Sequence, residues 1–113
     1  MIRKMILAGA FMAAMAAPAL ADPIEGSWKT KSGDNAMISA CGGSFCIKLT
    51  SGEYSGKSIG KMKADGGNKY SGSITKPSNG KTYKGSATLS GSSLKMTGCV
   101  LAVLCESQTW KKL

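Results

Sequence analysis

The chain has 113 residues, fifteen Lys and Arg against six Asp and Glu, no histidine, and a formal net charge of +9. That length supports one domain with a modest core. Without histidine, the usual neutral-pH general base and the commonest metal ligand are both missing, which excludes histidine-based catalysis and mixed Cys/His metal sites.

In chain order, a secretory signal comes first. Arg3 and Lys4 form a charged start, Ile6 to Ala17 an apolar run, and Ala19-Leu20-Ala21 a small-x-small cleavage site. The run is shorter than the ~20 residues a span needs, so no transmembrane anchor is expected after cleavage. Residue 22 is Asp rather than a lipid-bearing Cys, and no twin arginine is present. Residues 1–21 therefore read as a cleaved signal peptide and 22–113 as the mature domain, periplasmic or secreted. Loss of Arg3 and Lys4 leaves thirteen lysines against six carboxylates, a net +7 over 92 residues.

The mature segment shows period two almost throughout, the signature of strands with one buried face. Eight strands are predicted near 26–30, 36–41, 45–50, 57–64, 69–75, 81–90, 93–99 and 105–111. Ala36, Ile38 and Ala40 share a face, as do Phe45, Ile47 and Leu49, then Tyr70, Gly72 and Ile74, then Tyr83, Gly85, Ala87 and Leu89, then Leu94, Met96 and Gly98. In 57–64, Ile59 and Met62 cannot share a face without a bulge, which Gly60 could provide. Turn signals such as Asp65-Gly66-Gly67-Asn68 and Pro77-Ser78-Asn79-Gly80 separate the runs. Short connections favour antiparallel neighbours, so the fold class is all-β: a small antiparallel up-and-down barrel, with a two-sheet sandwich as the alternative. Only 14 of the 92 mature residues are Leu, Ile, Val or Phe, a share low enough to raise disorder. Alternation, two Trp, three Tyr and four Cys argue for a folded chain.

Cys41 and Cys46 bracket a four-residue spacer, Cys99 and Cys105 a five-residue one. In an exported domain these read as structural disulfides rather than redox or metal sites, since no C-x-x-C spacing is present. Each pair could bridge its own hairpin. Four cysteines permit three pairings, and a cross-link such as Cys41 to Cys105 is the main rival.

Several residues could meet a ligand or partner. Val100, Leu101, Ala102, Val103 and Leu104 form an apolar run held between two cysteines, where a hairpin tip is normally polar. That loop either folds over one barrel end or presents an exposed docking tip. Trp28 and Trp110 lie near the two ends of the mature chain, so barrel closure would bring them to one seam, for core packing or ligand stacking. Tyr70 and Tyr83 complete the candidate contacts. The scattered lysines lack the bidentate fork of arginine and are not interleaved with aromatics, so nucleic-acid binding is not expected. An anionic envelope component is the more credible charged partner. No catalytic constellation is visible, and neither cofactor nor metal is called for.

Four ordered motifs carry a family resemblance: Asp22-Pro23-Ile24-Glu25-Gly26-Ser27-Trp28, the Cys41-Gly42 to Cys46 segment, Pro77-Ser78-Asn79-Gly80-Lys81-Thr82-Tyr83, and Gly98-Cys99 through Cys105-Glu106-Ser107-Gln108-Thr109-Trp110. Together they resemble domain of unknown function 2147, a set of secreted bacterial proteins. The resemblance implies a lipocalin-like barrel and no established activity. Many members carry a W-x-G-G-x-I-x-D-P stretch before the central motif. Here that stretch is Lys69 to Pro77, with Tyr70 in the tryptophan place.

Two functional expectations follow. One is a non-catalytic binding barrel for a small apolar or amphipathic ligand, with room left inside by Ala36, Ala40, Gly72, Gly85 and Ala87. The other is an interaction or inhibitor-type envelope module that docks through the 99–105 loop.

Overall fold

The computed structural model describes residues 22–100 and 104–113, so the signal-peptide segment 1–21 lies outside the described residues. Eight strands form: β1 Gly26–Lys29, β2 Asn35–Ala40, β3 Phe45–Leu49, β4 Ser58–Gly66, β5 Lys69–Thr75, β6 Thr82–Ser90, β7 Ser93–Val100 and β8 Leu104–Lys112. Each pairs antiparallel with the next, and β8 returns to β1, giving a closed up-and-down barrel. The all-β barrel read from the alternation is the fold observed, and the sandwich alternative is set aside. Closure leaves no sheet edge to template aggregation.

The alternation survives packing with little change. Ile38, Ile47, Met62 and Leu94 point inward and are essentially inaccessible, as are Ala36, Leu89, Met96 and Trp110. Burial of each larger aliphatic side chain stabilises by about 1.5–3 kcal/mol. The expected bulge sits where Ile59 and Met62 demanded it. Ile47 pairs with Gly60 and Lys48 with Ser58, so Ile59 is the extra residue and turns inward. A second irregularity between Ala64 and Gly66 carries β4 to Gly66, two residues past the predicted end. β1 stops at Lys29, because Thr30 turns the chain: its amide and its hydroxyl both donate to the Asp34 carbonyl, at 2.9 and 3.0 Å.

The up-and-down path gives the barrel two unlike ends. The hairpins at 41–44, 67–68 and 91–92 lie at one end, together with residues 22–25. This base is shut. Ile24 is fully buried, although it belongs to no strand, and its carbonyl accepts the Trp28 indole N–H at 2.9 Å. Phe45 meets Tyr70 edge to face at 5.9 Å beside it. The connections 30–34, 50–57 and 76–81, with the strand ends at Val100 and Leu104, surround the other end.

Small inward residues do not supply free space, contrary to the sequence expectation. Ala40 and Gly72 are exposed. A Cβ at Gly72 would run into the Lys61 carbonyl of β4, so glycine there permits two backbones to approach. The space above Gly85 is taken by Ile74, whose Cγ1 would lie 2.6 Å from an added Cβ, and by Met62. Ala36 and Ala87 are buried, and neither lines the open volume described below.

Both disulfides are local. Cys41 bonds Cys46 across the β2–β3 hairpin, and Cys99 bonds Cys105, directly opposed on β7 and β8. Nonreducing peptide mapping is expected to recover these two cross-links and none between the halves of the chain. Loops this short stabilise by about 2 kcal/mol each through the unfolded state, so reduction should lower the urea midpoint by an amount equal to roughly 3–4 kcal/mol.

Candidate functional site: a cup at the open end

A cavity of about 720 Å³ opens at the end opposite the base. Its wall is built from inward strand positions: Ile47 and Leu49 of β3, Ile59 of β4, Ile74 of β5, Tyr83 of β6, Met96 and Gly98 of β7, and Trp110 of β8. Period two puts these residues on one face, and closure turns that face into a lining. Gly98 leaves its part of the wall bare. An added Cβ would meet only Ile74 Cδ1 and Tyr83 Cβ, both at 3.9 Å.

The β7–β8 ladder shows how the lining changes with depth. Leu94 opposes Trp110, Met96 opposes Gln108, Gly98 opposes Glu106, and Val100 opposes Leu104. The apolar pair Leu94–Trp110 therefore lies toward the base, Gln108 and Glu106 bring polar groups higher, and the exposed apolar pair Val100–Leu104 stands at the lip. Gln108 accepts the Trp110 indole N–H at 2.6 Å, so the indole needs no further partner and shows the cavity an apolar face. This pairing gives a physical role to the closing S-Q-T-W motif. Residues 108 and 110 share a face, and one satisfies the other.

The lip is polar and carries both signs of charge. Thr30, Ser32 and Asp34 line it from the β1–β2 loop, Tyr54 from the β3–β4 loop, Lys76 from the β5–β6 turn, and Glu106 from β8. Ser32 Oγ donates to Asp34 Oδ2 at 3.4 Å, and the Asp34 carboxylate lies against Gly52, where a side chain would collide with it. The Asn35 amide donates to Ser51 Oγ at 2.7 Å, tying the first two rim loops together.

The candidate contacts read from sequence divide. Tyr83, Val100, Leu104 and Trp110 line the cavity, and the Cys99–Cys105 bridge stands at its lip. Val100 and Leu104 are 47% and 62% exposed. Leu101 and Val103 lie outside the described residues. Trp28 and Tyr70 are placed elsewhere, in the base. Trp28 is fully buried, with the Lys112 ammonium 4.8 Å from its ring centre. It reaches the seam foreseen for it, opposite Lys112, but as packing. Tyr70 donates its phenol hydrogen bond to Asp22. Sequence reasoning missed Tyr54, Asp34, Lys76 and Gln108. Gln108 was legible through its shared face with Trp110, whereas the three loop residues follow no period.

Taken together, these features define a small, disulfide-stapled antiparallel barrel with a plugged base and an open, apolar cup. A family model described as uncharacterized protein conserved in bacteria (DUF2147) matches residues 52–112, more than half of the chain. The chain belongs to that family. The match includes the central and closing motifs and most of the strands that line the cup. No curated protein and no solved structure shows a significant match. Membership of a bacterial family and two disulfides are compatible with an extracytoplasmic location.

Burial first, and the hydrogen bond to Asp22 second, push the Tyr70 phenol above its ordinary range. A group whose folded pKa is raised contributes stability below its unfolded value, near pH 10, and loses it as pH climbs further. Wild type is therefore expected to lose urea stability above pH ~10 more steeply than Tyr70→Phe. At neutral pH that variant should be weaker by about 1 kcal/mol, from the missing bond to Asp22. Equal slopes above pH ~10 would exclude this role for the phenol.

Proposed function

We propose that this protein is an exported, non-catalytic binding barrel, periplasmic or secreted after cleavage behind Ala21, that takes a small apolar or amphipathic ligand into the cup. The cavity carries this reading. At about 720 Å³ it falls within the ~300–1,000 Å³ of small-ligand sites. Aliphatic and aromatic walls below a polar rim match a ligand with an apolar body and a polar end. Asp34 and Glu106 on one hand and Lys76 on the other can meet a headgroup of either sign. Binding rather than turnover is favoured because the chain has no histidine, and the one Gly-x-Ser-x-Gly spacing, Gly56 to Gly60, leads into strand β4 rather than forming a strand-to-helix elbow. The lysine-studded outer wall would favour an anionic envelope surface nearby.

A second reading, docking to an envelope partner through the 99–105 loop, is favoured by one observation. Val100 and Leu104 expose apolar surface beside the Cys99–Cys105 bridge.

Gly98→Leu tests the first reading, because it puts four carbons into the cup from a position with room for a Cβ. Wild type should bind 1-anilinonaphthalene-8-sulfonate with energy transfer from Trp110. Gly98→Leu should bind it at least ~10-fold more weakly at unchanged melting temperature. No binding by wild type, or equal binding by the variant, would remove the ligand reading. Gly98→Leu also separates the two readings: it leaves the exposed Val100 and Leu104 side chains in place, so a docking loop would keep its envelope partner in a pull-down while dye binding is lost.

A further inference from the structure

The base of the barrel begins at the residue where the signal is expected to end. Residues 22–25 form one tight hydrogen-bonded turn. The Glu25 amide donates to the Asp22 carbonyl at 2.8 Å, and the Ile24 amide to Asp22 Oδ1 at 3.0 Å, an Asx turn. The Tyr70 hydroxyl donates to the same Asp22 oxygen. The Lys112 ammonium donates to the Pro23 carbonyl at 3.3 Å and also to the Glu25 carbonyl. Last, the Asp22 backbone nitrogen donates to Glu25 Oε2 at 3.0 Å. The first mature nitrogen is thus already aimed at a carboxylate.

We infer that the Ala21–Asp22 bond is a processing site whose new α-ammonium docks on the Glu25 carboxylate and locks the base of the barrel. The inference rests on the export half of the reading above and is independent of ligand binding. A peptidase that cuts after small-x-small would add one water across the amide. Ala21 keeps the carboxylate, and Asp22 keeps the amine, which takes up a proton. The N–H to carboxylate bond at 3.0 Å, charged only on its acceptor, becomes an ion pair charged on both partners at the same place. The precursor cannot make it, because its Asp22 nitrogen is an uncharged amide. The lock then acts through Ile24, which the turn holds fully buried against Trp28.

The groups facing the new amine set the pH dependence. The carboxylates of Glu25 and Asp22 favour its charged form. The Lys112 ammonium opposes it from β8, and the Tyr70 phenol on β5 is neutral at the pH concerned. The two carboxylates outweigh the one cation, so the amine should titrate above the ordinary α-amino range of about 7.7–8.0. Its contribution is present in full below that range and is lost as pH rises through the folded value.

The experiment uses the full-length chain, expressed with its own leader and recovered after export. Intact mass should place the N-terminus at Asp22. Reductive methylation with carbon-13 formaldehyde then lets the α-amine be titrated by NMR apart from the lysines. In wild type its midpoint should lie above the ordinary α-amino range of about 7.7–8.0, and in Glu25→Gln it should fall back toward that range. Glutamine retains an acceptor for the same N–H, so the turn should persist, and the wild-type titration is informative without the variant. An unprocessed chain would overturn both the export reading and this inference. A start at another residue, or an α-amine titrating alike in the two proteins, would overturn this inference and leave the export reading standing.

Discussion

The barrel closes along one short ladder. β1 and β8 share only two register pairs, Trp28 with Lys112 and Lys29 with Lys111, whereas β7 and β8 share eight. A seam that short needs support from outside the ladder. It comes from the Leu113 amide, which donates to the Ser27 carbonyl at 3.0 Å, and from Lys112, which reaches across the seam to the 22–25 turn and over the Trp28 ring. Without closure the sheet would keep two edges and no interior. The core and the cavity both depend on this contact between chain ends.

Closure also divides the interior into two unequal halves. Toward the base, Ile24, Trp28, Ile38, Met62 and Leu94 pack as fully buried side chains. Toward the lip, the lining is apolar but stands apart around the open volume. Glycine marks both halves for opposite reasons. Gly72 and Gly85 sit where a backbone or a side chain already occupies the Cβ position, while Gly98 faces open space. A small residue on an inward position therefore says nothing about volume until its neighbours are known.

Charge is distributed with similar order. Lys29, Lys48, Lys61, Lys63, Lys69, Lys84, Lys95 and Lys111 all occupy outward strand positions. The carboxylates lie elsewhere: Asp22 and Glu25 in the base turn, Asp34, Glu53 and Glu106 at the open end, and Asp65 at the β4 bulge. A uniformly cationic wall resists association between copies and favours anionic surroundings. Carboxylates gather instead at the two ends, in the Asp22–Glu25 turn at one and around the rim at the other.

Much of the fold was legible in the sequence, because strand alternation has a period of two and closure preserves it. Phe45, Ile47 and Leu49, or Tyr83, Gly85, Ala87 and Leu89, declare their shared face by spacing alone. Ile59 and Met62 even located a bulge, since two inward residues three apart cannot obey that period. The cysteine pairing was open, because spacing permits three connectivities and only the register of β7 on β8 sets Cys99 opposite Cys105. The site was legible in part. Trp110, Tyr83, Val100 and Leu104 stood out by type and place, but so did Trp28 and Tyr70, which the barrel buries at its other end. Which end a residue occupies depends on how seven turns stack strands of unequal length, and no local pattern encodes that. Asp34, Tyr54 and Lys76 meet at the lip from three separate loops, so the sequence by itself determined the strands and their faces, while only the closed barrel decided which loops share an end and where its interior stays empty.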